Sequence, residues 1–188
     1  MKKPNVLIKN FKTFDGHEGY GMNCDVYIEG VKCLHAHDSG NGGCTEFDLL
    51  AYGSKNPEQV KSLVKELNAY LDAQPPKPWV IGNETMKDKD GNIKMRKETL
   101  EDFVNELTYE AERLKAERKR QKQMLTGILF GVPNADIYSR IDYKQPLTVI
   151  TKLNILSLQA RVDRIKREYC INGVVILNTN LKELGINF

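Results

Sequence analysis

All three histidines of the chain, His17, His35 and His37, and three of its four cysteines, Cys24, Cys33 and Cys44, fall within residues 17–44. Imidazole and thiolate at close quarters are the ligands zinc takes in tetrahedral sites. A two-residue loop at Glu29-Gly30 would set Val26 opposite Cys33, Cys24 opposite His35 and Met22 opposite His37. Residues opposite one another on paired strands share a face. Cys24, Cys33 and His35 would then reach one ion, with Cys44, His37 or His17 as the fourth ligand. The same face carries Val26, Ile28 and Val31, which marks it as the core face, where reduced cysteine is an ordinary small filler. With no Cys-x-x-Cys knuckle in the chain, the first reading is buried cysteines with histidines at the sheet rim. No metal or other cofactor is assigned, and the set Cys24, Cys33, His35 and Cys44 is kept as the alternative.

Two glycine-rich loops flank this stretch, Gly16-His17-Glu18-Gly19-Tyr20-Gly21 and Asp38-Ser39-Gly40-Asn41-Gly42-Gly43. Successive glycine amides form anion-binding concavities, and a nearby carboxylate orients a ligand or serves as a base. The candidate ligand-binding residues are therefore His17, Glu18, Gly19, Asp38, Gly40, Asn41 and Gly42. Neither loop is a P-loop or a dinucleotide fingerprint, and tight turns alone also demand glycine. Ser39 and Cys44 lack a nucleophile context such as Gly-x-Ser-x-Gly, so no catalytic residue is assigned. Asp88-Lys89-Asp90-Gly91-Asn92 fails as a calcium loop, because Ile93 stands where glycine is required and Thr99 where the bidentate glutamate belongs. It reads as a hairpin turn.

Basic residues form the third constellation. Arg113, Lys115, Arg118, Lys119, Arg120 and Lys122 are opposed locally only by Glu117, and Lys152, Arg161, Arg164, Lys166 and Arg167 line a later helical stretch. Such clusters grip phosphates or an acidic protein surface, although cations near a helix C-terminus also complement its dipole.

The elements that must position these residues follow from periodicity. Residues 5–12 read as a strand, Met22–His37 as a hairpin and 44–51 as a further strand. Asn56-Pro57-Glu58 opens a helix with Asn as N-cap and Pro at the first position, carried on by Val60, Leu63, Val64, Leu67 and Leu71. The proline run Pro75-Pro76-Lys77-Pro78 leads into a polar excursion to about residue 95. A long helix is predicted over 97–123, with a buried stripe that stops at Leu114 and so leaves its basic end for a second copy of the chain or another partner. Strands over 125–131 and 137–143, a helix over 149–169 and a strand over 174–177 complete the order. The predicted class is α+β, with small antiparallel sheets packed against about three helices, one of them long. It would be one domain over 1–188, subdivided as 1–74 and 96–188 with the Pro-rich polar segment 75–95 between.

The 188 residues are 40% hydrophobic and 28% charged, with net charge +3, which suits one globular domain and excludes wholesale disorder. No apolar run approaches the roughly 18–20 residues that span a bilayer, and Val6-Leu7-Ile8 is too short for the core of a signal peptide. The expected compartment is the cytoplasm, with reduced thiols and no membrane partner.

The pattern Phe11-x-x-Phe-Asp-Gly-x-Glu-Gly-x-Gly-x-Asn, with Tyr27-x-x-Gly and Asp38-x-Gly-Asn-Gly-Gly, resembles small uncharacterised proteins of phages and bacterial mobile elements over about residues 8–43. Those proteins do not share the run of Cys and His, which moves the emphasis to the glycine loops. The resemblance implies a genomic setting and no activity. In that setting a chain without a catalytic signature is expected to be a non-enzymatic binding protein, inhibiting a host defence system by engaging a protein complex, a nucleic acid or a nucleotide. The alternative from another class is a small metal-dependent hydrolase or nucleotide-processing enzyme centred on His17, His35, His37 and Asp38.

Overall fold

In β2 (Tyr20–Ile28), Met22, Cys24, Val26 and Ile28 share a buried face, and in β3 (Val31–Asp38) buried Leu34 and Ala36 alternate with the more open His35 and His37, the period-two placement of a strand with one face on a core. Glu29 and Gly30 join them with φ of 48° and 82°, the left-handed pair that a tight hairpin turn demands. β1 (Val6–Asp15) and β4 (Glu46–Leu49) add on either side, giving an antiparallel sheet in the order β1-β2-β3-β4. The computed structural model describes residues 2–52, 54–81, 84–135 and 137–188.

Two bulges set the register of this sheet. In β3, Leu34 pairs with Val26 and Lys32 with Tyr27, so Cys33 is the extra residue. In β1, Lys9 pairs with Asp25 and Lys12 with Asn23, which leaves an extra residue in the Asn10–Phe11 step, and Asn10 takes φ 55° to turn the strand there.

One face of the sheet, with Cys24, Val26, Ile28, Leu34 and Ala36, is buried against α1 (Pro57–Asp72) and the start of α2 (Leu100–Met124). Val60, Leu67 and Leu71 of α1 and Phe103 and Val104 of α2 close this core. Asn56 caps α1 by accepting the Gln59 amide, and Pro57 holds the first helical position. Thr99 caps α2 in a reciprocal box: its hydroxyl accepts the Asp102 amide while the Asp102 carboxylate accepts the Thr99 amide.

Between α1 and α2 lie two small ribbons, β5 (Lys77–Pro78) with β8 (Met95–Arg96) and β6 (Val80–Ile81) with β7 (Glu84–Thr85). Asp88 closes the predicted turn by accepting the amides of Asp90 and Asn92, both at 2.9 Å.

The chain divides into two units, residues 1–112 and 113–188, within α2. The Pro-rich segment is therefore not the divide: β5–β8 pairing and the bond from Lys97 Nζ to the Asp72 carbonyl tie it into the first unit.

In the second unit, β9 (Gly127–Gly131) is buried throughout and sits between β10 (Ser139–Asp142) and β11 (Val175–Ile176). α3 (Leu147–Tyr169) packs Leu158, Val162 and Ile165 with Ile128, Phe130, Leu181 and Ile186. Asn154 leaves helical geometry (φ −160°, ψ 82°), and its side chain accepts the Ser157 amide at 3.0 Å. The helix therefore breaks at Asn154 and restarts with that residue as N-cap. The predicted α+β class, with antiparallel sheets, three helices and one long helix, is what the chain adopts.

Candidate functional site

The register of β2 and β3 decides the fate of the Cys–His cluster. His35 stands opposite Asp25 and His37 opposite Asn23, while Cys24 faces Ala36. The expected pairs Cys24 with His35 and Met22 with His37 do not form, because the bulge at Cys33 advances β3 by one residue and sends both imidazoles to the outer face. Cys24 and Cys33 are fully buried in the core. Burial, reinforced by the Asp25 charge, pushes the Cys24 thiol up to about 11, and burial likewise raises Cys33. Both stay protonated, unlike the thiolates that bind zinc. Cys44 is exposed. Among the described residues no three His, Cys, Asp or Glu side chains converge as ligands, and the set Cys24, Cys33, His35 and Cys44 is not assembled.

The glycine loops do lie together at one end of the sheet, but they spend their polar groups on each other. The Glu18 amide donates to the Gly40 carbonyl at 2.9 Å, the His17 amide to Asn41 Oδ1 at 3.1 Å, and the Gly16 amide to the Gly19 carbonyl at 2.7 Å. Asp38 Oδ1 accepts the Gly40 amide at 2.8 Å. The Glu18 carboxylate lies against Gly42 where a side chain would otherwise stand. Four of the amides that an anion would need are therefore already used. His17, Glu18, Gly19, Asp38, Gly40, Asn41 and Gly42 interlock two turns. Among the described residues no hydrogen bond links His17, His35, His37 and Asp38 into a catalytic relay.

The basic residues are a different matter, because charge is segregated between the two units. Residues 113–188 hold 14 Lys and Arg against 6 Asp and Glu, a net +8, whereas residues 1–112 hold 14 against 19, a net −5. Along the end of α2, Arg118, Lys119 and Lys122 are exposed, and Arg120 donates to the Ala135 carbonyl while lying over the Tyr138 ring. Arg113 belongs to the same run.

Beside the second half of α3 a groove of about 390 Å³ is lined by Tyr143, Ser157, Arg161 and Arg164 over Ile150 and Leu158. Ser157, Arg161 and Arg164 recur at intervals of four and three, so one helix face presents all three. A second groove of about 380 Å³ continues round the helix through Ala160 to Asp163, Lys166 and Arg167. Arg164 also pairs with Glu168 at 2.8 Å, one turn on. The Tyr143 hydroxyl is shielded from solvent without a well-formed hydrogen bond. Burial pushes its pKa up, opposed by the Arg161 guanidinium beside it, so the phenol is a neutral donor. The Arg161 and Arg164 guanidinium forks, with the Ser157 hydroxyl on the same helix face, are donors of the kind that phosphate oxygens accept.

Sequence reasoning found Arg161, Arg164 and Arg167 but missed Tyr143 and Ser157. The available signal was Asn154-x-x-Ser157, an N-cap pattern inside an otherwise helical run. Among the described residues no helix is long and apolar enough to cross a membrane. No protein-family model, no curated protein and no solved structure matches this chain.

Proposed function

We propose that the protein is a non-enzymatic binding protein that holds a nucleic acid along the basic helices of its C-terminal unit. The observation that carries this reading is the segregation of charge, net +8 over residues 113–188 against −5 over the rest. A strongly positive unit in a chain whose remainder is acidic is the electrostatic footprint of a polyanion binder, in which backbone phosphates supply most of the affinity. The Tyr143–Ser157–Arg161–Arg164 groove is where one phosphate would be held most closely. The resemblance of residues 8–43 to proteins of phages and mobile elements supports a setting in which the bound nucleic acid is withheld from a host defence complex.

The test is fluorescence anisotropy of labelled single- and double-stranded oligonucleotides over a series of salt concentrations. Affinity is expected to fall linearly on logarithmic axes, and removing each phosphate-contacting cation is expected to shrink the slope by about one. No binding at low ionic strength, or binding indifferent to charge reversal at Arg161, Arg164, Lys166 and Arg167, overturns the proposal.

A further inference from the structure

The outer face of the first sheet carries a feature independent of the basic helices. His35 and His37 are two residues apart on β3, so their side chains leave one face roughly 6.6 Å apart along the strand. Each ring is held at Nδ1 by an oxygen from β2: Asp25 Oδ1 lies 3.1 Å from His35 and Asn23 Oδ1 lies 2.5 Å from His37. An ionised carboxylate and an amide oxygen only accept, so Nδ1 carries the proton in both rings. In a neutral imidazole the lone pair is then on Nε2. Among the described residues neither Nε2 makes a hydrogen bond to the protein.

This tautomer, with its second nitrogen given to a carboxylate or amide oxygen, is the arrangement in which histidines ligate metals. The pinning groups are themselves fixed. Asp25 is buried and also accepts from Asn10 Nδ2 at 2.7 Å and Lys32 Nζ at 2.9 Å. Phe14 stacks on the His37 ring with centroids 6.0 Å apart. On the far side, β4 places Asp48 opposite His35 and Glu46 opposite His37, both exposed. Each imidazole thus has an orienting group on one side and a carboxylate on the other.

We propose that His35 and His37 form a two-imidazole site for a divalent transition metal ion such as zinc. Water completes the coordination, and Asp25 and Asn23 act as positioning residues. Imidazole with oxygen donors suits zinc, nickel and copper, and a shell that relies on water leaves exchangeable positions.

The test is calorimetric titration of the full chain, stripped with chelator, with zinc at near-neutral pH, repeated with cobalt(II) followed by visible absorption. One equivalent is expected, with weak ligand-field bands and no thiolate charge-transfer band. His35→Gln and His37→Gln should each weaken binding at least about tenfold, and Asp25→Asn by about 10- to 100-fold, whereas His17→Gln should leave it unchanged. Because Asp25 is buried, the exposed-face variants His35→Gln and His37→Gln decide the matter if Asp25→Asn unfolds. No uptake, uptake that survives the double glutamine variant, or thiolate absorption overturns the proposal.

Discussion

Asp25 and His35 face each other across the β2–β3 ladder with 3.1 Å between Oδ1 and Nδ1, and Lys32 holds the other carboxylate oxygen at 2.9 Å. Burial pushes the Asp25 pKa up, yet the hydrogen bonds from Asn10, Lys32 and His35, with the Lys32 charge, outweigh it and hold the carboxyl at about 2. A carboxyl whose pKa is lower folded than unfolded stabilises the fold fully above its unfolded pKa of about 3.9, and loses that contribution as pH falls towards the folded value. Urea unfolding at stepped pH should therefore show about 2 kcal/mol of stability lost between roughly pH 4 and pH 2 through this group. Asp25→Asn should flatten that limb. An acid limb of unchanged slope in the variant would show that the contribution lies elsewhere.

The same pair shows where the sequence was legible and where it was not. Alternation in β2 and β3, the Glu29-Gly30 turn, the Asn56 cap and the long helix are local signals, and each was readable from neighbouring residues. The bulge at Cys33 is not local. Burying both Cys33 and Leu34 decides it, and it turns the predicted Cys24–His35 partnership into an Asp25–His35 one. The polar residues Asn23 and Asp25, alternating with Met22, Cys24 and Val26, were the available sign that β2 has a polar outer face. For the loops, sequence identified two demanding turns but not that their amides are answered by one another. The basic helices were legible as charge; their groove was not, because Tyr143 reaches it through tertiary packing alone.

Asn178 joins three elements of the C-terminal unit. It is 2% exposed, accepts the Leu129 amide at 2.7 Å and donates to the carbonyls of Gly127 at 3.0 Å and Met124 at 3.4 Å. Asn178→Ala leaves several buried backbone groups unanswered and should cost about 3 kcal/mol in denaturant unfolding. Asn178→Asp keeps the acceptor and loses the donor, so it should also destabilise. A loss below about 0.5 kcal/mol for the alanine variant would show that water substitutes for the side chain.

Gly40 and Gly43 sit three residues apart in the same loop and should respond oppositely to alanine. Gly40 has φ 69°, and a methyl there would stand 2.6 Å from the Gly21 backbone nitrogen. Left-handed strain and a backbone collision together should cost about 2 kcal/mol or more, and separate the two loops. Gly43 has open space around an added methyl. Gly43→Ala should change stability by no more than about 0.5 kcal/mol. Thermal melts of the two variants check this, and equal losses would contradict the interlocking of the loops.

Tyr143 separates a structural from a binding role for the basic groove. Its hydroxyl is shielded and makes no well-formed hydrogen bond, and it shares the groove with Arg161 and Arg164. The hydroxyl has only the Arg161 guanidinium beside it and no well-formed hydrogen bond, so Tyr143→Phe, of nearly the same shape, should change stability by no more than about 1 kcal/mol. If that hydroxyl answers a phosphate oxygen in the complex, the same variant should lose about one hydrogen bond of binding, a five- to tenfold weaker affinity for an oligonucleotide. Arg161→Ala should weaken binding more and also reduce its salt dependence, since it removes a charge as well as a donor. Stability kept with loss of affinity is the signature of a group kept for its ligand. Loss of both in Tyr143→Phe would mean that the hydroxyl serves the fold, and unchanged affinity would place the nucleic acid outside this groove.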